Sequence, residues 1–254
     1  MKFKEKLIDT IRRPKKIVQK VAYETLKNFG NRDYKNFALL SRSRTGSTML
    51  VSLLNHHDNI KCYGEILNNG KSIKSIDDIY DKQPTFIDAL GFKVFYYHGA
   101  KEDSFSVWKE LLNKDKLFII HLKRKNILRT IVSRKIASKT DVWNSIERKT
   151  DLENKKVTLN PKSVMESIRK TKRMVNWGDN LFHEKDMIEV YYKSLVERKE
   201  KVMENIFAKL NVPESNVHSG TSRQNPEKLN NLIKNYNQVV EYFEETKFEW
   251  MLRE

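Results

Sequence analysis

The sequence predicts an α/β fold of three layers, a mostly parallel sheet flanked by helices. Three observations predict it. Short apolar runs alternate with stretches of three-to-four periodicity along most of the chain. Two of those runs, Phe37 to Leu40 and Phe118 to Leu122, are nearly continuous, as expected of strands buried on both faces. Each ends in a basic polar turn followed by a helical pattern, and the carboxyl ends of parallel strands are where such sheets place ligands.

In order along the chain, residues 1–30 read as a basic amphipathic helix or two. Phe3, Leu7, Ile11, Val18, Val21, Leu26 and Phe29 approximate one face, and Pro14 interrupts it. The expected arrangement packs that face on the domain and leaves the lysines in solvent; a peripheral contact with an anionic membrane is the alternative. Residues 31–254 form the main domain. Its first strand is Phe37–Leu40, and Met49, Leu50, Leu53 and Leu54 mark one face of the helix behind it. Residues 68–90 are polar, with one short helix at Ile76–Asp81. Gly91–His98 is aromatic and β-branched and reads as a strand.

Asp103–Asn113 follows as a helix with Val107, Trp108, Leu111 and Leu112 inside. After the strand at Phe118–Leu122 and its helix, residues 134–186 are helical and charged, with Asn160-Pro161 opening one clear helix. Met187–Tyr192 is a strand. Ser194–Leu210 is a helix closed by Asn211-Val212-Pro213. A last long helix runs from Pro226 to about Phe243, with Asn225 as its N-cap.

Composition narrows the function classes. At 254 residues the chain can build one α/β domain with a full core. Lys and Arg number 49 against 33 acidic residues, a net charge of +16, and residues 1–30 alone hold nine basic against three acidic, a net of +6. Such a balance favours polyanions: nucleic acid, anionic lipid, acidic glycan or a ligand with several phosphates. Cys62 is the single cysteine, which rules out an internal disulfide and fits a reducing compartment. No stretch has the apolar length of a membrane span, and charges break up residues 1–30 too often for a signal-peptide core. The expectation is a cytoplasmic protein, peripheral on membranes at most.

The most informative stretch is Ser41-Arg42-Ser43-Arg44-Thr45-Gly46-Ser47-Thr48, a tight polar turn before a helix. Unpaired N–H groups at a helix start point outward, and the helix dipole adds positive potential there. Gly46 lets the backbone close on an oxyanion without a Cβ in the way. Ser47 and Thr48 add hydroxyl donors, and Arg44 a bidentate fork. The nucleotide-hydrolysing P-loop, G-x-x-x-x-G-K-[ST], does not fit: Ser41 stands where its first glycine would be, and Ser47 where its lysine would be.

Arg44-Thr45-Gly46-Ser47-Thr48 resembles, position by position, the 5′-phosphosulfate loop of sulfotransferases that use 3′-phosphoadenosine 5′-phosphosulfate (PAPS). The bacterial carbohydrate and glycolipid branch of that family reads approximately S-x-R-[ST]-G-S-T-x-L. The resemblance implies a P-loop-like sulfotransferase fold and sulfonate transfer from PAPS to an acceptor hydroxyl, on a sugar or glycolipid, with adenosine 3′,5′-bisphosphate as product and no metal. Arg42, Arg44, Thr45, Gly46, Ser47 and Thr48 would hold the 5′ end. Arg44, unlike a lysine, stays charged, so it would stabilise the departing phosphate oxygen without donating a proton.

The family's glutamate base follows the first helix in a Gly-Glu pair, which implies Glu65; His98, at a strand end, is the second candidate base. The 3′-phosphate is held by an arginine and a serine eight residues later. That implies Ser133 with Lys125 in register, followed by Asn126, or else Arg124 one position off. Arg223, in Ser222-Arg223-Gln224, is carried over from the family's Lys/Arg-Gln. Tyr192-Lys193-Ser194-Leu195 is similar to the family's Y-E-x-L. Trp143 and Trp177, in the segment covering the acceptor, would stack on it or pack in the core. No nucleic-acid partner is expected.

Local readings stand beside these. The loop can be a polar turn, Glu65 a solvated carboxylate and His98 a structural histidine. Two rival functions remain at this stage: a P-loop-type nucleotide kinase, and a non-enzymatic basic module that binds nucleic acid or membrane.

Overall fold

A single parallel sheet organises the chain in the computed structural model, which describes residues 14–68, 75–98, 107–143 and 151–253, with side chains from residue 21 onward. Its strands are β1 (Lys35–Ser41), β2 (Ile60–Tyr63), β3 (Ala89–Phe95), β4 (Phe118–Lys123) and β5 (Met187–Tyr191), in the order β2-β3-β1-β4-β5. All four pairings are parallel, with Ser41 opposite Phe95 on one side of β1 and Leu40 opposite His121 on the other. The chain fills one side of β1 with β3 and β2, then crosses to the other side with β4. The carboxyl ends of β1 and β4 therefore form the switch point at which an open α/β sheet leaves a crevice.

Helices cover both faces, which is why the central strands read as continuous apolar runs. On one face Phe37, Leu39, Phe118 and Ile120 pack with Leu50 and Leu53 of α2 (Ser47–Leu54) and with residues of a later helix, Met203 and Phe207. On the other, Ala38, Leu40, Phe92, Val94 and Ile119 pack with Leu111 of α3 (Val107–Asn113) and with Phe182. A third apolar cluster joins α4 (Ile127–Thr140) and α6 (Pro161–Leu181) to the last segments of the chain; the short α5 (Leu152–Lys155) lies between those two helices in sequence.

Several elements differ from the sequence expectation. β2 was not foreseen, since four residues that alternate buried and half-buried give too short a pattern. β3 ends at Phe95, so His98 lies beyond it in a turn. The helix expected over Ser194–Leu210 is two helices, α7 (Tyr192–Glu197) and α8 (Lys199–Leu210), broken at Arg198. The long helix expected from Pro226 is also two, α9 (Leu229–Leu232) and α10 (Tyr236–Phe243). Between them Ile233 is drawn into a bridge with Val157, where the Val157 N–H donates to the Leu232 carbonyl at 2.9 Å. Asn225 is not the cap; Lys228 precedes α9, and Asn225 bonds elsewhere.

The N-terminal helix α1 (Pro14–Asn28) begins at the proline expected to interrupt it. It meets the body through its polar side. The Tyr23 hydroxyl donates to Gln83, Lys27 pairs with Asp81 at 2.7 Å, and the Lys61 ammonium of β2 lies 4.8 Å from the Tyr23 ring centre. Phe3, Leu7 and Ile11 lie outside the described residues, as do residues 103–106 at the start of the helix expected there.

Candidate active site

The turn after β1 is wound tightly. Arg44 and Gly46 both have positive φ, 68° and 94°, and the Thr45 hydroxyl donates to the Arg42 carbonyl at 2.6 Å. Gly46 is required twice over. It closes the start of α2 in the left-handed region, and a Cβ there would sit 2.4 Å from the Tyr192 ring. With no side chain to cap the helix, the first-turn N–H groups of α2 are left for a ligand.

These groups face a cavity of about 250 Å³. Gly46, Ser47 and Thr48 line it from the turn and helix after β1, Arg124 and Ser133 from the turn and helix after β4. Arg223 and Gln224 line it from the returning loop. Arg44 spans all three pieces: its Nε donates to Ser133 Oγ at 2.9 Å, and its two terminal nitrogens donate to the Trp143 carbonyl and the Gln224 side-chain carbonyl. Burial pushes the Arg44 guanidinium below its ordinary value, and the Glu65 carboxylate pulls the other way. Ser133 Oγ also accepts from Asn225 Nδ2 at 3.1 Å. With both lone pairs used, its own O–H remains to donate to a ligand oxygen.

Of the two cations left open by the spacing, the structure brings Arg124 to the cavity. Its guanidinium lies 4.4 Å from the Tyr192 ring centre and donates to the Arg44 carbonyl at 3.2 Å. Lys125 points to the Tyr191 ring, 5.0 Å away, and is not in the cavity wall. Arg129 is a wall residue that sequence reasoning missed. It is buried on α4, where charged residues normally read as solvent-facing, and it donates to the Glu227 carbonyl at 2.6 Å, tying down the returning loop. Gln224 Nε2 is buried with no partner among the described residues, a donor beside a cavity lined by other donors.

Glu65, just past β2, pairs with the buried Lys93 ammonium of β3 at 2.9 Å, and its charge is felt at Arg44, Tyr97 and His98. Lys93 was not singled out from the sequence, because a lysine inside an aromatic run gives no sign of facing a carboxylate. His98 is buried; its Nδ1 accepts from the Phe95 N–H at 3.1 Å, which puts the proton of the neutral ring on Nε2. Burial pushes its pKa down to about 4. Arg42 does not reach the cavity. It is buried with Nη1 unpartnered among the described residues, and burial together with the nearby Arg134 lowers it to about 10. Trp143 and Trp177 are both partly exposed rather than core residues, and Trp177 makes an edge contact with Trp108.

A second polar cluster lies on the opposite sheet face. His121 of β4 is fully buried, with Nε2 2.6 Å from the Tyr96 hydroxyl and Nδ1 2.9 Å from Asp179, and Lys123 joins Asp179 at 2.6 Å. Burial holds His121 below its ordinary value, so the ring is neutral and links α6 to the sheet.

A parallel sheet with an uncapped glycine-led helix start and a cation-lined crevice at its switch point defines an α/β protein built to hold an anionic ligand. The family model of the Stf0 sulphotransferases matches residues 96–238, more than half of the chain. The chain belongs to the Stf0 sulphotransferase family. The matched stretch includes Ser133, Arg124 and Arg223 and begins beyond the Arg44–Thr48 loop. Among solved structures, the sulfotransferase from Alicyclobacillus acidocaldarius is similar at 12% identity over 82% of this chain and 90% of that one, with a TM-score of 0.46. No curated protein matches the chain. The kinase and non-enzymatic readings do not fit the family.

Proposed function

We propose that the protein transfers a sulfonate group from PAPS to an acceptor hydroxyl on a sugar or glycolipid. The observation that carries this reading is the shared cavity: the Gly46–Thr48 helix start and the Ser133 hydroxyl line one space of about 250 Å³. In the proposal, the backbone of Gly46 to Thr48 and the Ser47 and Thr48 hydroxyls take the 5′ phosphosulfate. Arg124, the Ser133 O–H and Arg223 take the 3′-phosphate, with Lys125 outside. Arg44 turns from its bonds with Ser133 and Gln224 to the bridging phosphate oxygen, where charge grows as the bond breaks. The acceptor oxygen attacks sulfur in line, the sulfur–oxygen bond to the phosphate breaks, and the acceptor proton passes to Glu65.

Glu65 suits the base role better than His98, because a neutral His98 protonated on Nε2 and bonded through Nδ1 has no lone pair to offer. Arg42 is left outside the donor grip and faces Tyr97 and Arg134. Calorimetry with adenosine 3′,5′-bisphosphate, against AMP and ATP, tests the reading. Tight binding of the bisphosphate with much weaker binding of AMP is expected; equal affinity for all three, or ATP turnover with magnesium, overturns it.

A further inference from the structure

Arg42 carries a charge that the fold has not neutralised. It follows β1 directly, in register with Ala38 and Leu40, and it feels Tyr96, which packs on that same face of the sheet. The residue is only 7% exposed, and its Nη1 is sealed from solvent and unpartnered among the described residues. Buried guanidinium groups are normally paired, because an isolated charge gives up hydration that packing does not return. Here the charge felt most strongly is another cation, Arg134 of α4, which adds to burial in lowering Arg42 to about 10. Among the described residues neither guanidinium has an ion pair. The other groups felt by Arg42, Tyr96 and Tyr97, are neutral, since burial raises both phenols.

Arg134 is half-buried and Tyr97 is 39% exposed, so solvent reaches the pair past these two side chains. Tyr97 also feels Glu65, which gathers the two arginines and the proposed base around one tyrosine at the carboxyl end of the sheet. Neither arginine is part of the donor cavity wall. We propose that Arg42 and Arg134 form an anion subsite for the acceptor, which is then a sugar bearing a carboxylate or phosphate group. The inference rests on the sulfonate-transfer reading and names the substrate class for it. Two guanidinium forks can hold one carboxylate or phosphate through charge-assisted hydrogen bonds. A neutral sugar would leave the buried fork without a counter-charge. Anchoring the anionic group also fixes one end of the sugar, and so decides which hydroxyl is presented to Glu65.

The test titrates the full chain with methyl β-D-glucoside, methyl β-D-glucuronide and glucose 6-phosphate, followed by protein NMR. The wild type is expected to bind at least one of the two anionic sugars about tenfold or more tighter than the glucoside, and the tighter of the two identifies the group. Arg42→Met and Arg134→Gln should each abolish that preference, and Arg124→Ala, in the donor cavity, should keep it. The absence of a preference in the wild type overturns the proposal. So does a preference that survives in either arginine variant, or one that disappears in Arg124→Ala. Arg42→Met keeps most of the side-chain volume and removes an unpaired charge, so it should melt no lower than the wild type. A lower melt would show that the guanidinium already serves the fold, and overturns the proposal as well. No donor is needed, so binding of adenosine 3′,5′-bisphosphate is judged separately. Bisphosphate binding without the anionic preference sinks this inference alone; the preference without bisphosphate binding sinks the sulfonate-transfer reading and leaves the anion subsite standing.

Discussion

Arg44 Nε and Ser133 Oγ, 89 residues apart in the chain, are joined by a 2.9 Å hydrogen bond across the mouth of the cavity. One residue belongs to the turn after β1 and the other to the helix after β4, so the bond ties together the two ends of the proposed donor site. It also fixes what a ligand must undo, because the guanidinium that grips Ser133 is the one proposed to meet the bridging phosphate oxygen.

Ser133→Ala removes an O–H proposed to donate to the 3′-phosphate and one partner of Arg44. A hydrogen bond to a charged group is worth about 1.5–3 kcal/mol. Affinity for adenosine 3′,5′-bisphosphate should fall at least tenfold by calorimetry, and affinity for AMP, which lacks that phosphate, should change little.

Arg124 and Lys125 give a paired test. Arg124→Ala should cost about 2 kcal/mol of bisphosphate affinity, from the loss of a charge-assisted contact. Lys125→Ala should leave it near the wild-type value, since its ammonium lies over Tyr191 instead. The reverse order would show that the turn is read one residue off.

Glu65→Gln should lower kcat by about 10²–10³-fold with bisphosphate affinity unchanged, as for loss of a general base. His98→Asn, whose side-chain oxygen can still accept from the Phe95 N–H, should retain most of the activity. Comparable losses in the two variants would move the base role away from Glu65.

Gly46→Ala meets both a φ of 94° and a Tyr192 ring atom 2.4 Å from the new Cβ. Strain of this kind costs about 1–3 kcal/mol. The melting temperature should fall, and bisphosphate binding should be lost as the helix start shifts.

Protonation of His98 should contribute to destabilising the fold in acid. The ring takes a proton near pH 6.5 in the unfolded chain but only near pH 4 when folded, so acid favours the unfolded chain. The stability supplied by neutral His98 is full above about pH 6.5 and is lost as pH falls toward 4. Urea midpoints across that range should drop less steeply in His98→Asn than in the wild type; parallel curves would show that His98 does not titrate there.

Legibility in the sequence followed the range of the interaction. The turn at Arg44–Thr48 and the strands on either side of it, β1 and β4, were readable because their signals are local: a continuous apolar run, a glycine and a helical period. The split at Ile233 was not, because the apolar period runs on through it and only the distant Val157 pulls the chain out of the helix. Arg129 and Lys93 escaped notice for the same reason: each is a charge whose partner, a carbonyl at Glu227 or the carboxylate of Glu65, is brought near only by folding. For α1, sequence periodicity tells which residues share a side and not which side meets the body, and the structure turns Val21 and Leu26 to solvent.

The bonds from Arg44 to Ser133 and to Gln224 span 89 and 180 positions of the chain. A pocket assembled from such distant pieces comes into being only when the sheet is complete and the late loop has docked. Occupancy of the pocket is then a gauge of finished folding: a nucleotide that binds only the complete form raises the unfolding temperature in proportion to the logarithm of its concentration. Under the proposed function, partly folded chains would pass through an adenosine 3′,5′-bisphosphate affinity column unretained, while complete molecules would be held.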